Sequence, residues 1–200
     1  MKYRFICLLL LLGFTVHSQA VIISFEPGDQ SISLGGSATV DLRVSGLGDE
    51  ILTGFDLYVG FDDSILAFQS FTFGTGLDVF GFGTLTDVLD FGGVVNVYEL
   101  SFDFDDDLRD FQPDDFVLGT LTFVGLDFGT SALDILQSPL SFSSILSGEY
   151  VLDDLLGFEI ASELQADLGS GSIIVPEPGA LVLLMSGLLG IGLHRKTILA

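Results

Sequence analysis

Apolar residues recur at every second position in one stretch of this chain after another, and no other pattern constrains its fold as much. Val40, Leu42 and Val44 alternate with Thr39, Asp41 and Arg43, and Phe55, Leu57, Val59 and Phe61 alternate with Asp56, Tyr58 and Gly60. Val95 and Val97 flank Asn96 and precede Tyr98, while Leu121 and Phe123 sit among Thr120, Thr122 and Val124. Successive side chains of a strand point to opposite faces, so each stretch reads as a strand with one buried side. Glycine and aspartate punctuate the stretches at Gly35-Gly36, Gly46 to Asp49, Gly74 to Gly76, Gly92-Gly93 and Gly125. Many short strands with regular turn signals predict an all-β sandwich or barrel. No amphipathic helix of ten or more residues is visible.

The remaining segments are read from the same signals. Leu66 and Phe68 continue the strand pattern, and the Gly/Phe/Asp-rich stretch 71–93 predicts a long loop or hairpin. Ser131 to Leu146 predicts one or two more strands. Leu152 to Leu168 is open between a helical turn and a further strand. Gly169 to Val175 predicts a last strand running into a linker.

The N-terminus has the make-up of a secretory signal. Lys2 and Arg4 form a positive start, Phe5 to Val16 an apolar run, and Ser18-Gln19-Ala20 ends in small residues, which predicts a signal helix cleaved after Ala20. The expected organisation is a signal at 1–20, a folded body at 21–172 and a tail at 173–200.

Composition limits the chemistry of the body. Between Val21 and Val175 lie 27 of the 28 acidic residues but only two basic ones, Arg43 and Arg109, a net charge of −25. Such a surface repels nucleic acid and anionic membranes. It serves solubility, or suits a neutral or cationic partner or divalent cations. Cys7 is the sole cysteine and lies in the signal; His17, His194, Lys2 and Lys196 lie in the terminal segments. The body therefore has no disulfide, no Ser-His-Asp or Cys-His machinery, no Schiff-base lysine and no histidine for zinc. The expectation is a protein that is not an enzyme. Paired carboxylates of a glycoside-acting enzyme are the remaining catalytic possibility.

Val175-Pro176-Glu177-Pro178 precedes an apolar run, Gly179 to Leu193, and then His194, Arg195 and Lys196. Two prolines in three residues keep the backbone extended, which suits recognition by a processing enzyme. The run of about 15 residues predicts a hydrophobic helix over 179–193, marginal in length for a bilayer, with the basic end on the cytoplasmic side. This order of parts resembles the PEP-CTERM sorting signal of Gram-negative bacteria. The resemblance covers 175–196 and is carried by Pro176, Glu177, Pro178, Arg195 and Lys196. It implies processing by an exosortase near the Pro-Glu-Pro motif, transient anchoring in the inner membrane, and a place on the cell surface or in an exopolysaccharide or biofilm matrix. The basic cluster is shorter than in many members and is followed by Thr197-Ile198-Leu199-Ala200.

The body resembles a cohesin. The resembling residues are Leu34 to Val44, then Gly54 to Leu66, where Phe61-Asp62-Asp63-Ser64-Ile65-Leu66 stands for the family's Tyr-Asp-Pro-x-x-Leu turn with Asp63 replacing proline, and Val117 to Phe123. The resemblance covers about 22–175. It implies a jelly-roll β-sandwich, a fold shared with carbohydrate-binding modules, and a non-enzymatic role in binding another surface protein or a polysaccharide. Cohesins bind dockerins through one sheet face, but no contact residue carries over to this sequence.

Several side chains are candidates for a binding site. Tyr58 and Tyr98 fall opposite the apolar phase of their strands and are the candidates for stacking on sugar rings, since the chain has no tryptophan. Asp103, Asp105 and Asp107 lead the densest acidic cluster, completed by Asp106, Asp110, Asp114 and Asp115. Calcium takes six to eight oxygens, so an irregular calcium site is one reading of this segment and a solvated acidic loop the other. The 1-3-5-12 spacing of Asp103, Asp105, Asp107 and Asp114 has Leu108 at position 6, where an EF-hand turn needs glycine. Phe71, Phe73, Phe80 and Phe82 are too numerous for one loop, and if exposed form an adhesive patch.

Overall fold

The computed structural model describes residues 20–137, 145–152 and 159–179. Within them the chain forms β1 (Val21–Glu26), β2 (Asp29–Ser31), β3 (Ser37–Ser45), β4 (Gly54–Gly60), β5 (Leu66–Phe73), β6 (Thr84–Asp90), β7 (Val94–Ser101), α1 (Asp105–Phe111), β8 (Phe116–Gly125), β9 (Gly129–Ile135), β10 (Ile145–Leu152), β11 (Glu159–Glu163), β12 (Ala166–Leu168) and β13 (Ser170–Val175). The expected signal helix, most of the expected hydrophobic helix 179–193, and Arg195 and Lys196 lie outside the described residues. No helix among the described residues is long and apolar enough to cross a membrane.

Two sheets pack face to face. One has the order β12-β1-β3-β8-β5. The other has the order β11-β10-β4-β9-β13-β2; β7 lines the opposite side of β4, with β6 beyond it. The alternation is realised where the sequence shows it most clearly. Along β3, Ala38, Val40, Leu42 and Val44 are buried while their neighbours are partly or fully exposed. Val40 stands opposite Leu121 and Ala38 opposite Phe123, and in the other sheet Leu57 faces Val97. The two inner faces form one core, in which Leu42, Leu57, Leu66, Leu121, Phe123 and Leu133 are fully buried. The Phe123 ring lies 5.2 Å from Phe61 and 6.1 Å, edge-on, from Phe68.

The phenylalanines of 71–82 divide into two sets. Phe71 and Phe73 end β5 and pack half-buried against the core. A Cβ at Gly119 would lie 2.2 Å from the Phe71 ring, so the ring occupies the space that any larger residue on β8 would need. Phe73 stacks on Phe55 with centroids 6.5 Å apart. The chain then makes a loop over 74–83 and a β6–β7 hairpin, turned by Gly92 and Gly93 with φ of 71° and 77°. Leu152 to Leu168, left open by sequence, contains β11 and β12, joined through Leu164 and Gln165.

The turn after β4 is built by Asp62, whose Oδ1 accepts the Ser64 N–H and hydroxyl. Its carbonyl accepts the N–H groups of Ile65 and Leu66. The aspartate itself closes this turn through its side chain, so proline at position 63 is not required.

The two ends of the body run side by side. β1 pairs with β12 and β2 with β13, both parallel. Ile22 stands opposite Ser45 at the end of β3, at the pole where loops 46–53, 74–83 and 102–115 gather. Val175 stands opposite Gly129 and reaches Gly125, at the other pole.

Candidate binding surface

The outer faces of the two sheets differ. On the β1-β3-β8 side the outward positions are largely polar: Thr120 donates to Asp41, and Arg43 pairs with Asp115 at 3.1 Å. On the β6-β7-β4-β10 side large apolar side chains stand out among polar ones such as Asp56, Asp87 and Asn96. Leu85 (51 % exposed) and Leu89 (45 %) project from β6, and Ile145 (43 %) from β10. Leu100 stands opposite both Leu85 and Gly54.

Tyr58 and Tyr98 belong to this second face. Tyr58 stands opposite Asn96, and Tyr98 opposite Asp56, so the two tyrosines are diagonal neighbours on adjacent strands. Both are half-buried, so their rings are less open than a solvent-facing reading implies. Asn96 donates from Nδ2 to the Asp56 carboxylate and to the Leu57 carbonyl. Burial, and secondarily the Asp56 carboxylate, push the Tyr58 hydroxyl above its ordinary value. The phase of β4 and β7 places the tyrosines correctly. Leu85 and Leu89 were missed, because the Gly/Phe/Asp bias of 71–93 hides the strand Thr84–Asp90 that carries them.

The acidic segment departs from the expected solvated loop. Asp105–Phe111 forms α1, with Asp105, Asp106 and Asp107 in its first turn, where carboxylates favour the positive end of the helix dipole, and with Leu108 fully buried. Asp103 is also buried, at 7 % exposure. Its carboxylate accepts the backbone N–H of Phe80 at 2.9 Å and of Phe82 at 3.2 Å, and so fastens loop 74–83. Asp103 thus faces loop 74–83 while Asp105 and Asp107 lie on α1, and among the described residues no three potential metal ligands converge. Asp103→Ala is expected to strip the acceptor from two amides and lower stability by about 2–3 kcal/mol. Hydrogen exchange at Phe80 and Phe82 should then accelerate selectively; unchanged protection there contradicts the anchoring role.

Three further groups hold the same pole. Ser101 Oγ donates to the Leu77 carbonyl, and Leu77 is buried in the core. Gln112 accepts the Leu52 N–H at 2.8 Å and donates to the carbonyls of Leu52 and Gly76 at 2.9 and 3.0 Å, tying all three loops together. Glu99, 3 % exposed, lies on the inward phase of β7. Burial pushes its carboxyl up to about 7, a bond from Thr84 opposes the rise, and Asp78 adds to it.

Pro176, Glu177 and Pro178 come directly after β13 and are exposed, without helix or strand structure. Ala20 is exposed immediately before β1.

Residues 175–196 match the PEP-CTERM protein-sorting motif. No curated protein matches the sequence. Among solved structures, the body is similar to the seventh ScaB type I cohesin of Pseudobacteroides cellulosolvens, with 15 % identity, a TM-score of 0.58, and coverage of 80 % of this chain and 94 % of that one. A non-cellulosomal cohesin of the archaeon Archaeoglobus fulgidus aligns at 12 % identity and TM-score 0.54, covering 79 % and 92 %. The sixth cohesin of Acetivibrio cellulolyticus scaffoldin B, solved in complex with the Cel5 dockerin, aligns at 16 % identity and TM-score 0.57, covering 78 % and 99 %. The chain therefore has the β-sandwich fold of cohesins, followed at 175–196 by a PEP-CTERM protein-sorting motif.

Proposed function

We propose that the protein is an exported, non-enzymatic binding module. An exosortase-type enzyme processes it near Pro176-Glu177-Pro178, and it works at the Gram-negative cell surface or in an extracellular, exopolysaccharide-rich matrix. Its binding face is the outer side of β6-β7-β4-β10. The observation that carries this reading is the exposed apolar set Leu85, Leu89 and Ile145 around Tyr58 and Tyr98, on one outer face of the sandwich. Exposed apolar sheet faces of this kind mark partner sites. One similar cohesin was solved with a dockerin, which favours a protein partner. A carbohydrate ligand stacking on Tyr58 and Tyr98 is the second reading. Their half-buried rings and the Asp56–Asn96 bond leave less open aromatic face than stacking uses.

Retention of the purified body on the matrix of its own cells tests the face. Leu85→Asp and Tyr98→Ala are expected to reduce retention at least tenfold, a loss of about 1.4 kcal/mol or more. Ile22→Asp, on the outer face of the other sheet, should leave it unchanged. Retention that survives protease treatment of the matrix but not removal of its polysaccharide selects the carbohydrate reading. Retention unaffected by Leu85→Asp removes this face. In cells without the exosortase, the chain should stay membrane-bound and unprocessed.

A further inference from the structure

Four phenylalanine rings form a connected cluster at the loop-bearing pole, beyond the end of β6. Phe80 and Phe82 stack at 5.5 Å, Phe111 lies 5.9 Å from Phe80, and Phe104 meets Phe82 edge-on at 5.6 Å. All four remain exposed, at 55, 53, 58 and 68 % respectively for Phe80, Phe82, Phe111 and Phe104. Water contact on four neighbouring rings is unfavourable, and a loose loop would fold them inward. This loop is not loose. The Asp103 carboxylate holds the amides of both Phe80 and Phe82, Leu77 is sunk in the core, and Gln112 grips Gly76. The rings are thus held outward in a fixed arrangement, which lowers the ordering cost of binding.

A groove of about 510 Å³ adjoins the cluster, lined by Gly74, Gly76, Val79, Phe111, Pro113 and Phe116. The surroundings are acidic. Asp106 and Asp110 are exposed on α1, Asp105 and Asp107 are partly so, and Asp78 lines the groove. Arg109, the basic residue of α1, is turned to Glu149 at 3.1 Å and to the Asp49 carbonyl. A second copy of a body with 27 acidic and two basic residues is repelled here, as is an anionic lipid or polysaccharide.

The geometry points to a docking surface for a cationic peptide segment of another protein, whose apolar side chains cover the Phe80–Phe82–Phe104–Phe111 cluster and enter the groove while its Lys or Arg residues meet the α1 carboxylates. An arginine laid over an exposed ring gains a cation–π contact as well. The cluster supplies the apolar anchor that interface hot spots need, and the carboxylates choose the sign of the partner.

The test uses the body, residues 21–179, and two synthetic amphipathic probes of equal length, one built of leucine and lysine and the other of leucine and glutamate. The leucine-lysine peptide is expected to bind one to one, with shifts in the NMR spectrum confined to 74–83 and 102–113. Phe80→Ala/Phe82→Ala should weaken it at least tenfold, and Leu89→Asp, near the far end of β6, should leave it unchanged, which separates this surface from the sheet face. The thermal midpoint of the double variant, within a few degrees of the parent, shows that the fold is intact. Asp106→Asn/Asp110→Asn should weaken binding less and flatten its salt dependence. Equal binding of the glutamate peptide, affinity indifferent to the phenylalanines, or shifts spread over the whole acidic surface each overturn the proposal.

Discussion

Alanine at Phe123 is expected to lower the unfolding free energy by about 3–5 kcal/mol. The ring is fully buried on β8 and lies between Phe61 and Phe68. Its removal leaves a cavity between the two sheets, because strands held by ladders on both sides relax little into the space. For a domain of this size each kcal/mol shifts the thermal midpoint by roughly 2–4 °C, so the melt should fall by roughly 10 °C. Phe123→Leu keeps much of the volume and should cost far less. Denaturant titration at unchanged slope measures both. A loss below about 1 kcal/mol contradicts a core closed over this ring.

Stability is expected to fall as pH rises from about 4.5 to about 7, through Glu99. Its unfolded carboxyl titrates near 4.5, and burial lifts the folded one to about 7. Below 4.5 both states hold the proton and the shift has no effect. Between the two values the folded state keeps a proton that the unfolded state has released, so each pH unit removes about 1.4 kcal/mol and the total approaches about 3 kcal/mol. Above 7 the loss is complete and the curve levels. Glu99→Gln keeps the shape and removes the titration. It should make stability nearly flat over this range and raise it at pH 8. Urea melts of both proteins at pH 5 and pH 8 decide the matter: parallel pH profiles refute a buried, titrating Glu99. Glu99 lies on a strand paired with Thr84 and Thr86 of β6, beneath the loop that Asp103 fastens. Its ionisation should therefore loosen the aromatic pole before the rest of the sandwich.

The strands legible in the sequence are those whose two faces meet different surroundings. In β3, β4 and β8 the inner positions enter the core and the outer ones water, so hydrophobicity alternates and Val40, Leu57 and Leu121 reveal themselves. β6 has its more exposed leucines, Leu85 and Leu89, on the outer face, and the pattern inverts into apparent disorder. The acidic segment misleads for a related reason. Asp103 reads as one more solvated carboxylate, and nothing local reveals that two amides some twenty residues earlier arrive to use it. Glu99 is hidden in the same way, since its neighbours on the inward phase come from β4 and β6. Tyr58 and Tyr98 were placed on the right face by phase alone, but their half-burial depends on packing across strands, which a single strand does not encode. The sorting motif was fully legible because its recognition depends on the order of residues and not on a fold.

The parallel pairing of the body's two ends has a mechanical consequence. β13 is bonded along both edges, to β9 and to β2, and its last residue leaves at the pole opposite the phenylalanine cluster. If the chain is tethered through its sorting tail and held by a partner at the far pole, tension runs lengthwise down β13. The ladder bonds on both edges are then loaded together in shear instead of opening one after another. A β-sandwich gripped in this direction resists detachment far better than its modest equilibrium stability suggests, because forced unfolding is governed by the barrier and not by the free-energy difference. The same arrangement points the aromatic pole away from the tether, toward whatever the surface meets.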